Sequence, residues 1–119
     1  MDIFCKIVNG DIPSKCLYED EIVMVIMDVN PMSNGHSLVI PKNHYKDLFD
    51  IEEEVLNHIM AVAREMAKLL EEKLGCEGIT LIQNNGISQD VKHFHLHLVP
   101  KYNKVSKMDI EEVFHKIVG

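Results

Sequence analysis

The stretch His93-Phe94-His95-Leu96-His97-Leu98-Val99-Pro100 carries a histidine at every second position, with apolar residues in between. Side chains alternate between the two faces of a β-strand, so this spacing predicts a strand over residues 94–99 with the three imidazoles on one face. The apolar residues then pack on the core. The imidazoles are left on an open face or in a cleft, where groups that titrate near neutral pH can bind, donate a proton or attack.

The rest of the chain predicts a sheet around one long helix. Apolar residues recur at helical spacing over residues 51–74, with Asp50 and Glu53 as a capping pair and Gly75 as the left-handed residue at the end. Further strands are predicted over residues 17–18, 22–27, 37–40 and 79–83, a short helix or turn over residues 3–8, and a terminal helix over residues 110–117. Five strands joined mostly by short turns indicate an α+β fold with an antiparallel sheet.

Composition and charge limit the classes of function. The chain has 119 residues, 12 basic and 19 acidic side chains, and a formal net charge of −7. This charge argues against nucleic-acid binding, but it is compatible with a small anionic ligand held by local donors. No repeat or linker is present, so residues 1–119 are expected to form one domain. The longest apolar runs are too short for a bilayer, no secretory leader is visible, and the three cysteines are widely spaced, which predicts a cytoplasmic protein.

The histidine pattern alone is compatible with three interpretations. It could be a solvated strand face that happens to be rich in histidine. It could be a metal site, since neutral imidazoles bind Zn²⁺ and leave a position open. It could also serve covalent catalysis, with one imidazole as nucleophile and its neighbours as phosphate ligands and acid. Other segments are needed to separate the last two.

Three other segments supply a resemblance. They are Gly35-His36-Ser37-Leu38-Val39-Ile40-Pro41-Lys42-Asn43-His44, the loop Asn84-Asn85-Gly86, and the early run IFCKIVNGDIPSKCLYED that begins at Ile3. With the alternating histidines, they make the chain resemble the histidine triad (HIT) family, in its nucleoside phosphoramidase branch, over residues 3–102. Residues 103–119 form a C-terminal segment outside the motifs. The resemblance implies a HIT-like fold.

The resemblance also implies a reaction. The expected activity is hydrolysis at the α-phosphate of nucleoside 5′-monophosphate derivatives, such as AMP-amines or AMP-lysine, through a covalent nucleotidyl-histidine intermediate. A dinucleoside polyphosphate hydrolase, as in another branch of the family, is one alternative. A nucleotide- or zinc-binding regulator with vestigial catalysis is the other.

Individual roles follow from the same resemblance. His95 is the expected nucleophile, with its Nδ1–H held by the backbone carbonyl at the first triad position. The expected supporting histidines are His93 and His97, which bind phosphate oxygens or relay protons, and His36, which supports the cluster. Asp28 is expected to accept both ribose hydroxyls. The remaining nucleotide-binding residues are Ile3, Phe4, Ile7, Ile26 and Val29 around the base, with Asn84, Ser88 and Gln89 near the phosphate.

The chain departs from the family pattern at two places. The loop over residues 86–92 is two residues shorter and lacks an Ala-Gly pair, and Asp90 stands where a small hydroxyl residue is common. Many bacterial relatives begin with a zinc-binding CxxC, but the first cysteine position here is Asp2. Since a carboxylate is the poorer partner in a thiolate-type site, we expect no metal and no cofactor, with Cys5, His44 and His93 as remnants of such a site.

Expected partners are a purine nucleotide and a second copy of the chain. Family members form two-fold dimers, and the long helix has apolar residues beside its main row, namely Leu56, Met60, Ala67 and Leu69. A helix that packs only on its own sheet needs a single apolar face, so the surplus predicts a homodimer. The C-terminal segment is expected to be free to approach the neighbouring pocket. In the competing view, a terminal helix covers the extra surface of a monomer.

Overall fold

The computed structural model describes residues 1–119 as a five-stranded antiparallel sheet with three helices. Its elements in chain order are α1 (Ile3–Val8), β1 (Cys16–Glu19), β2 (Val23–Met27), β3 (Ser37–Pro41), α2 (Glu53–Leu74), β4 (Gly78–Ile82), β5 (Leu96–Lys101) and α3 (Ile110–Val118). The strand order across the sheet is β1-β2-β3-β5-β4. The α+β class and the single long helix are therefore confirmed.

The two faces of the sheet have separate cores. Val23, Val25 and Val39 point to the larger cluster, in which α2 and α3 pack on the sheet. Met24 and Ile26, one residue out of phase, point to the other face and pack with α1. All five residues of β2 are buried, since helices cover both of its faces. None of the helices has the length and apolar character that crossing a membrane requires.

Helix α2 begins two residues later than its periodicity predicts. Its N-cap is Glu52, whose side chain makes no capping hydrogen bond. The predicted capping pair does not form, because the Asp50 carboxylate instead accepts a hydrogen bond from the Lys46 N–H at 2.8 Å. The predicted end is confirmed: Gly75 has a φ of 68° and donates its N–H to the Glu71 carbonyl.

Strand β5 also begins later than predicted, at Leu96 instead of residue 94. The Phe94 N–H donates to the carbonyl of Tyr45 at 2.7 Å, and Tyr45 lies in the loop after β3. His93 is drawn to the same region, because its Nε2 is 2.9 Å from the Pro41 carbonyl oxygen. These contacts take the extended chain off the sheet before β5 begins, so only His97 of the three histidines lies within a strand.

The C-terminal segment is docked on its own chain, so the expectation that it is free is wrong. Val113 and Ile117 of α3 are buried in the larger core. The Asn34 side chain holds the connecting residues from both of its ends, donating to the Ser106 carbonyl and accepting from the Met108 N–H. Helix α3 therefore covers part of α2, as the competing monomer view requires.

Candidate active site

A cavity of about 530 Å³ lies between α1 and the sheet. Its size is in the range usual for small-molecule sites, and most of its lining residues are apolar. It brings together eight of the residues predicted for the site: Ile3, Phe4, Ile7, Ile26, Asp28, Val29, His95 and His97. The residues predicted for the nucleophile, the ribose and the base therefore share one cavity.

The register of the sheet sets the length of this cavity. His97 on β5 is paired with Leu38 on β3, and Leu38 is paired with Ile26 on β2, so the three residues form one row across the sheet. Neighbouring strands are about 4.8 Å apart, which separates His97 from Ile26 by roughly 10 Å. A nucleoside 5′-monophosphate has about this dimension, so the row is long enough for the predicted arrangement of phosphate at the histidines and base over the apolar residues.

His95 is held in one tautomer by the backbone. Its Nδ1 lies 2.8 Å from the carbonyl oxygen of His93, and a carbonyl only accepts, so Nδ1 carries the proton. In the neutral ring Nε2 is then unprotonated and has its lone pair available for attack. The side chain is only 3% exposed and packs against Phe4, with ring centroids 4.9 Å apart. The geometry supplies an oriented nucleophile.

A second chain of hydrogen bonds fixes His97. The Met32 N–H donates to Nδ1 of His36, so the His36 proton lies on Nε2. That nitrogen is 2.9 Å from Nδ1 of His97, which must accept, leaving the His97 proton on its own Nε2. Burial lowers the pKa of both rings, which keeps them neutral near pH 7. His97 thus presents an N–H donor beside the nucleophile.

Asp28 lies at the rim of the cavity, directly after β2. Its Oδ1 accepts the N–H of Asn30 at 2.8 Å, and its Oδ2 is 3.5 Å from Nε2 of His36. The side chain is 20% exposed, so both oxygens keep capacity for another donor. Asp28 therefore presents a carboxylate between the apolar slot and the histidines.

The structure places His93 outside the cavity, in a cluster with three other residues. Its Nε2 bonds to the Pro41 carbonyl, and its Nδ1 is 3.2 Å from the Asp2 carboxylate and 3.5 Å from the Cys5 thiol. His44 joins them, with Nδ1 2.9 Å from Asp2 Oδ2 and 3.7 Å from the Cys5 sulfur. The His93 ring does not line the cavity, so neither of its nitrogens is placed to bind a phosphate there. Its contribution to the cavity is the carbonyl that orients His95.

This cluster fits a tetrahedral metal ion. Bond lengths to Zn²⁺ imply ligand–ligand distances of about 3.3–3.6 Å, close to the separations among these four donor atoms. The Pro41 carbonyl also fixes the His93 proton on Nε2, so Nδ1 is free to coordinate. Asp2, Cys5, His44 and His93 together offer one oxygen, one sulfur and two nitrogens. The absence of a metal stays a prediction from the sequence, and the donor geometry favours the opposite outcome.

Three predicted phosphate-side residues do not line the cavity. Gln89 is 4% exposed and donates to the Lys46 carbonyl, while its Oε1 is buried without a partner. The Ser88 hydroxyl donates to the Asn85 carbonyl, within its own 3₁₀ turn. Asn84 lies before that turn and also stays outside the lining. The shortened loop is therefore tied to its neighbours, and its contacts with a phosphate stay predictions.

Several lining residues were missed from the sequence: Ile12, Pro13, Ser14, Lys15, Met27, Leu38, Asp90, Val91 and Ile110. Leu38 could have been found, because it is in phase with Ile26 on a paired strand. Lys15 and Ile110 carry no local signal, since the Met27 N–H donates to the Lys15 carbonyl across the sheet and the docking of α3 brings Ile110 to the cavity. Asp90 was noticed only as a departure in the loop, yet it lies beside the nucleophile.

Comparisons with known proteins identify the family to which this fold belongs. The family model described as the HIT domain matches residues 9–104, and the chain belongs to the HIT-domain family. An uncharacterised HIT-like protein of Methanocaldococcus jannaschii is 40% identical over 131 aligned positions, covering all of both chains. The adenosine 5′-monophosphoramidase of Saccharomyces cerevisiae is 39% identical over 106 positions, covering 87% of this chain and 65% of the yeast protein.

A solved structure extends the likeness to three dimensions. The crystal structure of a zinc-bound histidine triad family protein from Mycobacterium smegmatis matches with a TM-score of 0.90. The two chains are 37% identical, and the match covers 98% of this chain and 89% of the mycobacterial chain. The HIT-like fold that the resemblance implies is thereby confirmed.

Proposed function

We propose that the protein hydrolyses nucleoside 5′-monophosphate derivatives at the α-phosphate and acts as a purine nucleoside phosphoramidase. The observation that carries this proposal is the Nδ1–H of His95 held by the His93 carbonyl, which leaves Nε2 as a buried nucleophile at the end of a nucleotide-sized cavity. The sequence identity of 39% to the adenosine 5′-monophosphoramidase of yeast supports a P–N bond as the bond that is cleaved.

The first step forms a bond from His95 Nε2 to phosphorus and breaks the bond from phosphorus to the leaving nitrogen. The electron pair goes to that nitrogen, which takes one proton from solvent and departs as an amine. The His97 Nε2–H donates a hydrogen bond to the charge that builds on the phosphoryl oxygens. Because His36 blocks Nδ1 of His97, this donor faces the phosphate throughout the step.

The second step is hydrolysis of the nucleotidyl-His95 intermediate. Water attacks phosphorus, the bond from phosphorus to Nε2 breaks, and the nucleoside 5′-monophosphate leaves. One proton of the water returns to solvent, which balances the proton taken up in the first step. The Asp28 carboxylate accepts the ribose hydroxyls during both steps, because its two oxygens match a diol.

The four-donor cluster has a structural place in this proposal. Asp2, Cys5, His44 and His93 would hold one Zn²⁺, which would tie the start of α1 to the segment that carries the nucleophile. The zinc-bound mycobacterial structure supports a metal in a protein of this fold. The ion would act by fixing the His93 ring, since none of the four donors lines the cavity.

Replacement of the nucleophile tests the reaction. His95→Asn and His95→Gly should lose at least a thousandfold in turnover of adenosine and guanosine phosphoramidates while still binding AMP, because only the covalent step needs Nε2. The matched control is His115→Asn, an exposed position on α3. Acid-quenched wild-type protein should gain the mass of one nucleotidyl group. Turnover by His95→Gly within a few-fold of the parent would refute the assignment.

The substrate panel also decides between the alternatives. Diadenosine polyphosphates are included at the same concentrations, and the proposal expects them to be poor substrates. Faster hydrolysis of these compounds than of any phosphoramidate would favour the polyphosphate hydrolase. Nucleotide binding without turnover of any compound would favour a regulator.

A further inference from the structure

Asp90 lies at the phosphate end of the cavity, beside the nucleophile. Its Oδ1 is 3.6 Å from Nε2 of His95, and its side chain is 80% exposed. Oδ1 also accepts the N–H of Val91, while Oδ2 makes no hydrogen bond. We propose that Asp90 selects the leaving group, favouring substrates whose departing amine carries a positive charge and disfavouring anionic leaving groups. This inference rests on the proposed function and names the substrate class within it.

Geometry keeps the leaving group within the field of this carboxylate. In an in-line displacement the departing atom lies about 5 Å from the attacking nitrogen, which is a contact distance plus one bond. Added to the separation of Asp90 from His95 Nε2, this puts the departing atom at most about 9 Å from Asp90, and a charge at the end of a short flexible chain on that atom can come into the same range by folding back towards the rim. The screening length at physiological salt is about 8 Å, so a charge on the leaving group interacts with Asp90.

No free cation offsets this charge. Lys15 is the one basic side chain in the lining apart from the imidazoles, and its Nζ is paired with Glu111. Lys92 is near in sequence, but its Nζ donates to the Gly86 carbonyl and it does not line the cavity. A polyphosphate or sulfate leaving group would therefore meet a carboxylate with no counter-charge, whereas an alkylammonium group would be attracted.

The effect of Asp90 separates into two parts. Its repulsion of the α-phosphate is common to all substrates and alters their rates equally. Only the interaction with the leaving group differs between substrates, and it appears in the ratio of their kcat/KM values. For charges this far apart at an exposed rim, that ratio should be about tenfold between a cationic and an anionic group.

Three AMP phosphoramidates of nearly equal length test the proposal. The amines are 1,3-diaminopropane, butylamine and β-alanine, whose distal ends are cationic, neutral and anionic, while the scissile P–N bond and the AMP product stay the same. In the wild-type protein kcat/KM should fall in that order, with about tenfold between the first and the last. The difference should shrink as salt is raised, since Asp90 is exposed.

Asp90→Asn removes the charge and keeps the shape. The cationic-to-anionic ratio should fall to within about twofold of unity, with a small change for the butylamide, and Asp90→Ser should behave alike. The matched control is Glu72→Gln, an exposed carboxylate on α2 whose loss changes net charge equally. If Asp90→Asn turns over all three compounds with an unchanged cationic-to-anionic ratio of kcat/KM, the inference about Asp90 is overturned and the proposed function is not. No turnover of any compound overturns the proposed function and, with it, any selection of a leaving group.

Discussion

His36 is the residue whose replacement most directly tests how the site is organised. It is 2% exposed and stands between the Met32 N–H, 3.0 Å away, and Nδ1 of His97, 2.9 Å away. It does not line the cavity, so it acts through His97 as a positioning residue. We predict that His36→Leu lowers kcat because His97 loses the partner that fixes its tautomer.

The magnitude follows from the two hydrogen bonds. Leucine leaves the Met32 N–H and the His97 Nδ1 without partners, and a buried polar group without a partner costs about 1–3 kcal/mol. A similar penalty in the transition state corresponds to a loss in kcat of about 5-fold to 160-fold. Glutamine is the matched variant, since its amide N–H can take the place of His36 Nε2. We expect His36→Gln to keep at least ten times the activity of His36→Leu.

Steady-state kinetics with an AMP phosphoramidate provide the assay. KM should change by less than about threefold in both variants, because His36 does not line the cavity and its Nε2 lies 3.5 Å from the Asp28 carboxylate, a longer separation than the 2.9 Å to His97. Thermal unfolding of each variant establishes how much of any loss comes from instability. Equal losses in kcat for His36→Leu and His36→Gln, with both variants folded, would refute the tautomer argument.

Three further predictions concern stability, metal content and assembly. Although burial opposes it, hydrogen bonds from the Val23 N–H and His58 lower the pKa of Asp20 well below its usual range. Asp20→Asn should therefore cost about 1 kcal/mol in unfolding free energy at pH 7, and the difference should persist down to about pH 4, near the unfolded pKa, and then shrink as pH falls towards the much lower pKa of the folded carboxyl. Zinc analysis should find one ion per chain, and the Asp2→Cys variant should retain its ion against a chelator more strongly than the parent protein does. A zinc content far below one ion per chain would support the absence of a metal that the sequence predicts. Light scattering should give the mass of two chains at micromolar concentration, through the exposed edge at Leu81 and α2; the mass of one chain throughout would exclude the homodimer.

Patterns that depend on local periodicity were readable from the sequence. The spacing of apolar residues gave α2 to within two residues, and Gly75 marked its end because a left-handed residue there favours glycine. The motifs around His36 and His95 led to residues that do lie together. Each of these signals acts through neighbours in sequence or through a resemblance to a family whose fold was known.

Contacts between segments that are distant in sequence could not be predicted from local patterns. Strand β5 loses its first two residues because Tyr45 and Pro41, some fifty positions earlier, take the hydrogen bonds. Helix α3 packs on its own chain through Val113 and Ile117, as the competing monomer view expected, but no local pattern predicts the hydrogen bonds by which Asn34 holds the connecting segment. The four metal donors were grouped only by the family resemblance, because Asp2 and His93 are far apart in sequence and no local pattern predicts that they meet. Tertiary contacts decided each of these outcomes.

The three histidines of the motif have different positions: His95 and His97 line the cavity, whereas His93 lies outside it and orients the predicted nucleophile His95. Its backbone carbonyl accepts the Nδ1–H of His95, so the direction of that carbonyl sets which nitrogen attacks. The carbonyl is steady only if the His93 side chain is, and that ring is fully buried between the Pro41 carbonyl and the Asp2 carboxylate. Asp2 also caps α1, accepting the Cys5 N–H at 2.8 Å. A metal ion held by the Asp2 carboxylate and His93 Nδ1 would therefore join α1 to the segment that carries His95.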